Sequence, residues 1–183
     1  MGPRSGFAIR RPCFRRPTAI GAVALALVAI CAALATRGPQ ALINTTPSEP
    51  RGLYVKTHDD PGRGRIIAFP APAAAFPYAE RRLAYLHRTP LLKAVAAGPG
   101  DHVCTLGGRL RIAGQVKASI VQNDREGVPL PHWNGCRRLE QDELFVFSDR
   151  VPNSFDSRYF GPVRRTSVLG VYAPLVVLAS GGR

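Results

Sequence analysis

Apolar positions are distributed unevenly along this chain. Between Pro17 and Thr36 no residue is charged and most are apolar. At about 1.5 Å rise per residue a helix over this stretch reaches roughly 30 Å, the thickness of a bilayer's hydrocarbon core. A single transmembrane anchor over 17–36 is therefore predicted. A cleaved signal peptide competes with it, because Ala33-Leu34-Ala35 has the small-x-small form of a cleavage site, although an apolar core from Ala19 to Ala35 is long for one. Beyond this stretch the pattern changes to short apolar runs punctuated by glycine and proline, with little helical periodicity. A mainly β domain is expected. Gly52 to Thr57 and Arg65 to Phe69 read as strands flanking a turn at Asp60-Pro61-Gly62, and Leu91 to Ala97 as an apolar strand. Val103 to Leu106 and Arg109 to Ile112 flank Gly107-Gly108 as a hairpin, and Glu143 to Phe147 and Ser167 to Tyr172 supply two further strands. Tyr78 to Arg88 is the exception, a predicted short helix with Leu83 and Leu86 on one face, after an apolar loop. This insertion reads either as a cover over the core or as a flap that leans on membrane or substrate. The run from Val168 to Ala179 is too short to span a bilayer, and reads as a last strand or a membrane-leaning tail.

Length and charge sharpen this picture. A chain of 183 residues holds one domain of ordinary size with one core, plus an appendage. The segments are a basic tail at 1–16, the span at 17–36 and an exported domain at 37–183. Arg4, Arg10, Arg11, Arg15 and Arg16 with no acidic neighbour form a positive-inside flank, which puts the domain outside the cytoplasm. The net charge of +13 raises nucleic acid as a partner, but the arginines are scattered and no RNA-reading aromatic motif accompanies them, so none is expected. Anionic lipid headgroups account for the same sign of charge. Cys104 and Cys136 are the two cysteines of the exported part; an oxidising compartment permits a disulfide and they are predicted to pair, whereas Cys13 and Cys31 lie before and inside the span.

The candidate chemistry lies in three segments. Ser48 sits between Pro47 and Pro50, which restrict the loop to few shapes, as a nucleophile requires; taken alone, such a serine is a solvated loop residue. Strand alternation puts Lys93 on the face of Leu91 and Val95, so an inward-facing Lys93 would be desolvated and able to act as a base; taken alone, it is an edge lysine. Only three of the 25 basic side chains are lysines, which leaves few base candidates, since arginine does not deprotonate. Third, Ser154, Asp156 and Arg158 cluster within five positions, in isolation a turn with a surface ion pair. A Ser-His-Asp hydrolase would need His58, His87, His102 or His132, yet no Gly-x-Ser-x-Gly elbow surrounds Ser48 and these histidines stand in polar or turn contexts. His58-Asp59-Asp60 lacks ligand spacing, and neither metal nor cofactor is expected.

Taken in order, Ser48-Glu49-Pro50 with Gly52-Leu53-Tyr54, Lys93 through Gly98-Pro99-Gly100-Asp101, and Ser154 to Arg158 with Gly161-Pro162 resemble the bacterial type I signal peptidases. The similarity extends from about residue 42 to residue 172 and is greatest to the TraF-type peptidases of conjugative transfer. It implies a signal-peptidase-like β catalytic domain behind an inner-membrane anchor, facing the periplasm, with a Ser-Lys dyad: Ser48 as nucleophile and Lys93 as general base. Thr46 matches a hydroxyl of the oxyanion hole, Ser154 one that orients the base, and Asp156 with Arg158 a structural pair near the site. The implied partners are the lipid bilayer and a membrane-embedded precursor resembling a pilin, with trimmed ends that some members join into a ring. Glu49 departs from the methionine that follows the nucleophile in housekeeping leader peptidases, and the chain lacks their large second β domain. The remaining alternatives are a general leader peptidase and a non-catalytic exported adaptor for pilus or secretion assembly, binding through the Phe69 to Tyr78 loop.

Overall fold

The computed structural model describes residues 19–35 and 39–178. Residues 1–38 and 39–183 form separate compact units. In the first, helix α1 covers Ala19–Ala35, and its side chains from Ala22 to Ala29 are exposed and apolar all round. Its 17 described residues fall inside the predicted span and reach about 26 Å at the usual rise. Among the described residues no helix is long and apolar enough to cross a membrane. Pro17, Thr18 and Thr36, the remainder of the predicted span, lie outside the described residues, as does Cys13.

The second unit is built on two antiparallel sheets. The strands are β1 (Ala41–Asn44), β2 (Gly52–Thr57), β3 (Ile66–Phe69), β4 (Leu91–Ala97), β5 (His102–Cys104), β6 (Arg109–Ile112), β7 (Gln115–Ser119), β8 (Cys136–Arg138), β9 (Glu143–Val146), β10 (Val163–Arg164) and β11 (Gly170–Val177). The larger sheet has the order β1-β2-β11-β3-β4-β9-β10, and the smaller β7-β6-β5-β8. The mainly β fold expected from the punctuated apolar runs is present.

Strand β4 shows why these residues form this sheet. Leu91, Lys93, Val95 and Ala97 are buried while the residues between them are half-exposed, the period-two pattern of a strand with one face inward. Leu91 and Val95 join Ile67, Phe69, Leu144, Val146, Phe160, Val163 and Val171 in the main core. Each fully buried side chain of this kind stabilises the fold by about 1.5–3 kcal/mol. Strand β9 is buried along its whole length because it serves two cores: Leu144 and Val146 belong to the first, and Phe145 packs with Val103, Leu110, Ile112 and Leu139 under the smaller sheet. The expected single core is thus divided; the β5–β6 hairpin was expected, with its first strand one residue earlier and ending at Cys104, but β7, β8 and the separate core under this sheet were not. Strands β7 and β8 are five and three residues long, too short for alternation to register.

Two predicted elements are corrected. The helix over Tyr78 to Arg88 is broken: α2 ends at Tyr78–Arg82, Leu83 leaves helical geometry (φ −136°, ψ 42°), and Ala84–His87 is a 3-10 turn. A segment this short, between Pro77 and Pro90 and without a side-chain N-cap, cannot sustain cooperative helix. Ala75, Ala79 and Leu86 are nevertheless buried in the main core, so the insertion covers it. The strand placed at Ser167 to Tyr172 begins only at Gly170, after a 3-10 turn at Arg165–Ser167. It continues to Val177, so the ambiguous terminal run is a strand. Gly52 opens β2 at φ +152°, and a Cβ there would lie 1.9 Å from the Val176 carbonyl oxygen, so β11 can pass this closely only over glycine.

Candidate active site

Ser48 lies on the loop joining β1 to β2, whose ends Asn44 and Gly52 are paired across the ladder. The loop's shape is set by one buried carboxamide. Asn44 Oδ1 accepts from the Thr46 N–H at 3.1 Å and from the Thr46 hydroxyl at 2.8 Å. Asn44 Nδ2 shares its hydrogens among the carbonyls of Thr46, Glu49 and Pro50 at 2.9–3.0 Å. The Tyr54 hydroxyl also donates to the Pro50 carbonyl at 2.7 Å, and the Ser148 hydroxyl donates to the Ser48 carbonyl. Ser48 is held buried at 6% exposure, with its Oγ 3.3 Å from Thr46 Oγ1. Sequence reasoning missed Asn44 and Ser148. The Asn-x-Thr spacing that forms an Asx-type turn was the available signal for Asn44.

Lys93 points inward from β4, as alternation predicts, and is 4% exposed. Its Nζ donates to Ser154 Oγ at 2.9 Å. Burial lowers the pKa of the amine from 10.5 to about 8; the charges of Asp156 and Glu49 oppose the shift and Arg158 adds to it. No hydrogen bond joins Lys93 to Ser48 in this structure, although both line the same cleft.

Behind Lys93, Ser154 to Arg158 form a rigid buttress rather than a surface turn. Asp156 and Arg158 are 0% and 1% exposed, and the guanidinium meets the carboxylate through two bonds of 2.8 and 2.9 Å. Asp156 also caps the short helix α3 (Ser157–Phe160) by accepting from the Arg158 N–H. The second guanidinium nitrogen donates to the Ser154 carbonyl at 2.9 Å, which fixes the backbone that presents the Ser154 hydroxyl to Lys93. Arg158 further stacks over Phe147 at 4.9 Å. The Ser157 hydroxyl accepts from the Val146 N–H, tying the buttress to β9.

Thr46, Ser48, Lys93 and Ser154 all line one cleft of about 390 Å³. Its apolar walls come from Leu42 and Ile43 on β1, Leu91 and Leu92 on β4, and Leu83 and Leu86 of the insertion. Asp156 and Arg158 lie outside its lining and act from behind it. The four histidines are not in the lining, and His58, His87 and His102 are exposed. Cys104 and Cys136 face each other across β5 and β8, joined by a disulfide in the small sheet. The arrangement provides a hydroxyl on a fixed loop, a desolvated amine near neutrality and further hydroxyls around them, the components of nucleophilic catalysis without histidine.

The signal peptidase, peptidase S26, family profile matches residues 15–176. The plasmid transfer protein TraF of Escherichia coli is 32% identical over 169 residues, covering 86% of this chain and 93% of that protein. The conjugal transfer protein TraF of Agrobacterium tumefaciens is 36% identical over 159 residues, covering 80% and 87% respectively. Among solved structures, a signal peptidase I from Enterococcus faecalis aligns at 25% identity with a TM-score of 0.37, over 63% of this chain and 98% of that one. With a family match running from the apolar N-terminal segment to the last strand, the chain belongs to the signal peptidase family, peptidase S26.

Proposed function

We propose that this protein is a membrane-anchored serine endopeptidase with a Ser48-Lys93 dyad, which trims an exported precursor of the kind assembled in conjugative pili. The observation that carries the reading is the buried Lys93 in one cleft with Ser48, Thr46 and Ser154. In the proposed step Ser48 Oγ attacks the scissile carbonyl carbon as its proton passes to neutral Lys93. The departing amine takes that proton as the acyl-enzyme forms. Water then attacks the ester with Lys93 again as base, and a neighbouring amine in place of water would close a ring. Ser154 holds the amine while its lone pair faces Ser48. Thr46 and the Ser48 N–H are the proposed oxyanion donors. The single Thr46 hydroxyl proton goes to Asn44 in this structure, so donation to the oxyanion needs that hydroxyl to rotate.

The conjugative substrate is supported by the TraF relatives, and the membrane setting by apolar surface beside the cleft. Ile43, Leu53 and Val176 are cross-strand partners on one sheet face, and Ile43 and Leu175 to Leu178 are exposed. With the apolar N-terminal segment, such a face would keep Ser48 at the bilayer surface, where membrane-bound precursors present their cleavage sites. The adaptor reading loses part of its surface, because Phe69 and Ala75 of its proposed loop are buried in the core.

The reading is tested by expressing a plasmid-encoded pilin precursor in cells with the native chain, Ser48→Ala or Lys93→Ala. Only the native chain should convert the precursor to its shorter form, with all three chains present at equal level. Conversion by all three would favour the adaptor, and failure by all three alongside processing of ordinary secreted precursors would favour a general leader peptidase.

A further inference from the structure

Glu49 is a buried carboxylate that the dyad mechanism does not use. It directly follows Ser48, is 5% exposed, and its Oε1 accepts from the Ala94 N–H at 2.8 Å. Ala94 directly follows Lys93. In this stretch the β4–β9 pairing is irregular, with a register shift between Val95 and Ala97. Glu49 therefore supplies a side-chain acceptor to a strand N–H, and one hydrogen bond links the residue after Ser48 to the residue after Lys93. Burial holds the Glu49 carboxyl above its ordinary range, an effect that the Ala94 N–H and the charges of Lys93 and Arg150 offset only in part.

Resting on the dyad reading, we propose that Glu49 is a positioning residue: its carboxylate clamps the nucleophile loop to the base-bearing strand, and its negative charge helps hold the proton on Lys93. The charged groups acting on Lys93 are Glu49 and Asp156, which favour the ammonium, and Arg158, which opposes it. Those acting on Glu49 are Lys93, Arg150 and Asp149. Asp156 is the larger of the two favourable charges but is shared with Arg158 through a bidentate contact, whereas Glu49 has no arginine hydrogen bond of its own. The clamp and the charge separate chemically. Glu49→Gln keeps an oxygen for Ala94 and removes the charge, whereas Glu49→Met removes both.

The test uses the full chain in detergent with 13Cε-labelled lysine, since only Lys56, Lys93 and Lys117 contribute signals and Lys93→Arg assigns one of them. Relative to the native chain, Lys93 in Glu49→Gln should titrate lower by about half a pH unit or more. The rising limb of precursor cleavage against pH should move with it. The Ala94 amide should exchange with solvent at the native rate in Glu49→Gln and at least tenfold faster in Glu49→Met. An unchanged or raised Lys93 midpoint in Glu49→Gln would overturn the charge role, and native Ala94 exchange in Glu49→Met would overturn the clamp. The titration and exchange need no substrate, so a native chain that cleaves nothing would overturn the peptidase reading while these outcomes still judge Glu49.

Discussion

Burying Lys93 costs the fold stability, and the sign of that cost is testable. Its folded-state pKa of about 8 lies below the ordinary 10.5, so below about 8 both folded and unfolded chains are protonated and the cost is felt in full. Between about 8 and 10.5 the unfolded chain binds more protons, and native stability rises with pH. Lys93→Met should therefore be more stable than the native chain at pH 7 by about 2 kcal/mol, with the gap closing toward pH 10.5. Denaturant unfolding at several pH values measures it. The same group predicts a cleavage rate that climbs with pH through about 8 and then levels. A rate highest in acid would contradict Lys93 as the base. At the oxyanion, Thr46→Val should lower kcat about 100-fold with little change in KM, and Thr46→Ser should restore most of it. Ser48 and Lys93 were singled out only by the three motifs in order, since a proline-flanked serine and a strand lysine each read alone as a solvated or edge residue; the inward face of Lys93 was the one part that strand alternation supplied locally. Asn44 was legible in principle, through its Asx turn. Glu49 and Ser148 were not, since their contacts reach across 45 and 100 residues of sequence.

At the level of elements, the buttress carries the largest single interaction near the site. Removing one partner of a buried ion pair leaves the other uncompensated and typically costs about 3–5 kcal/mol. Asp156→Ala should lower stability by that amount, with loss of activity following from misplaced Ser154; thermal unfolding beside the cleavage assay would show both. In isolation the pair reads as a surface turn and only the family resemblance marked it as structural, because burial of Asp156 and Arg158 depends on Phe147, Tyr159 and the carbonyls of Ser154 and Pro152 packing around them. Strands β2 to β4 and the β5–β6 hairpin were readable because alternation and the Gly107-Gly108 turn act locally, with φ of +69° and +68° at those glycines. The insertion was misread as one helix, because its leucines obey helical spacing while its backbone answers to the core and the flanking prolines. The Cys104–Cys136 bridge closes a 32-residue separation in the small sheet, and reduction should cost that sheet about 3 kcal/mol. Thiol titration of the denatured full chain should find no more than two free thiols, those of Cys13 and Cys31, and four after reduction.

Over the whole molecule, the function proposed above confines the chemistry to a membrane surface. The cleft opens between β1, β4 and the insertion; exposed Ile43 of β1 lines it and is joined through Leu53 to exposed Val176 of β11. The mainly β architecture was readable from short apolar runs punctuated by glycine and proline, and the family from three short motifs in order. The division of the core was not readable, because it depends on β9, a strand of the larger sheet, packing Phe145 under the smaller sheet while Leu144 and Val146 stay in the main core. The central claim is covalent cleavage by Ser48 with Lys93 as its base. Its most direct test is mass spectrometry of a purified pilin precursor incubated in lipid vesicles with the full chain or its Ser48→Ala form. The account predicts a shortened product with the native chain alone, lighter by one further water if the ends are joined. Identical precursor masses in both reactions, or equal shortening in both, would contradict it.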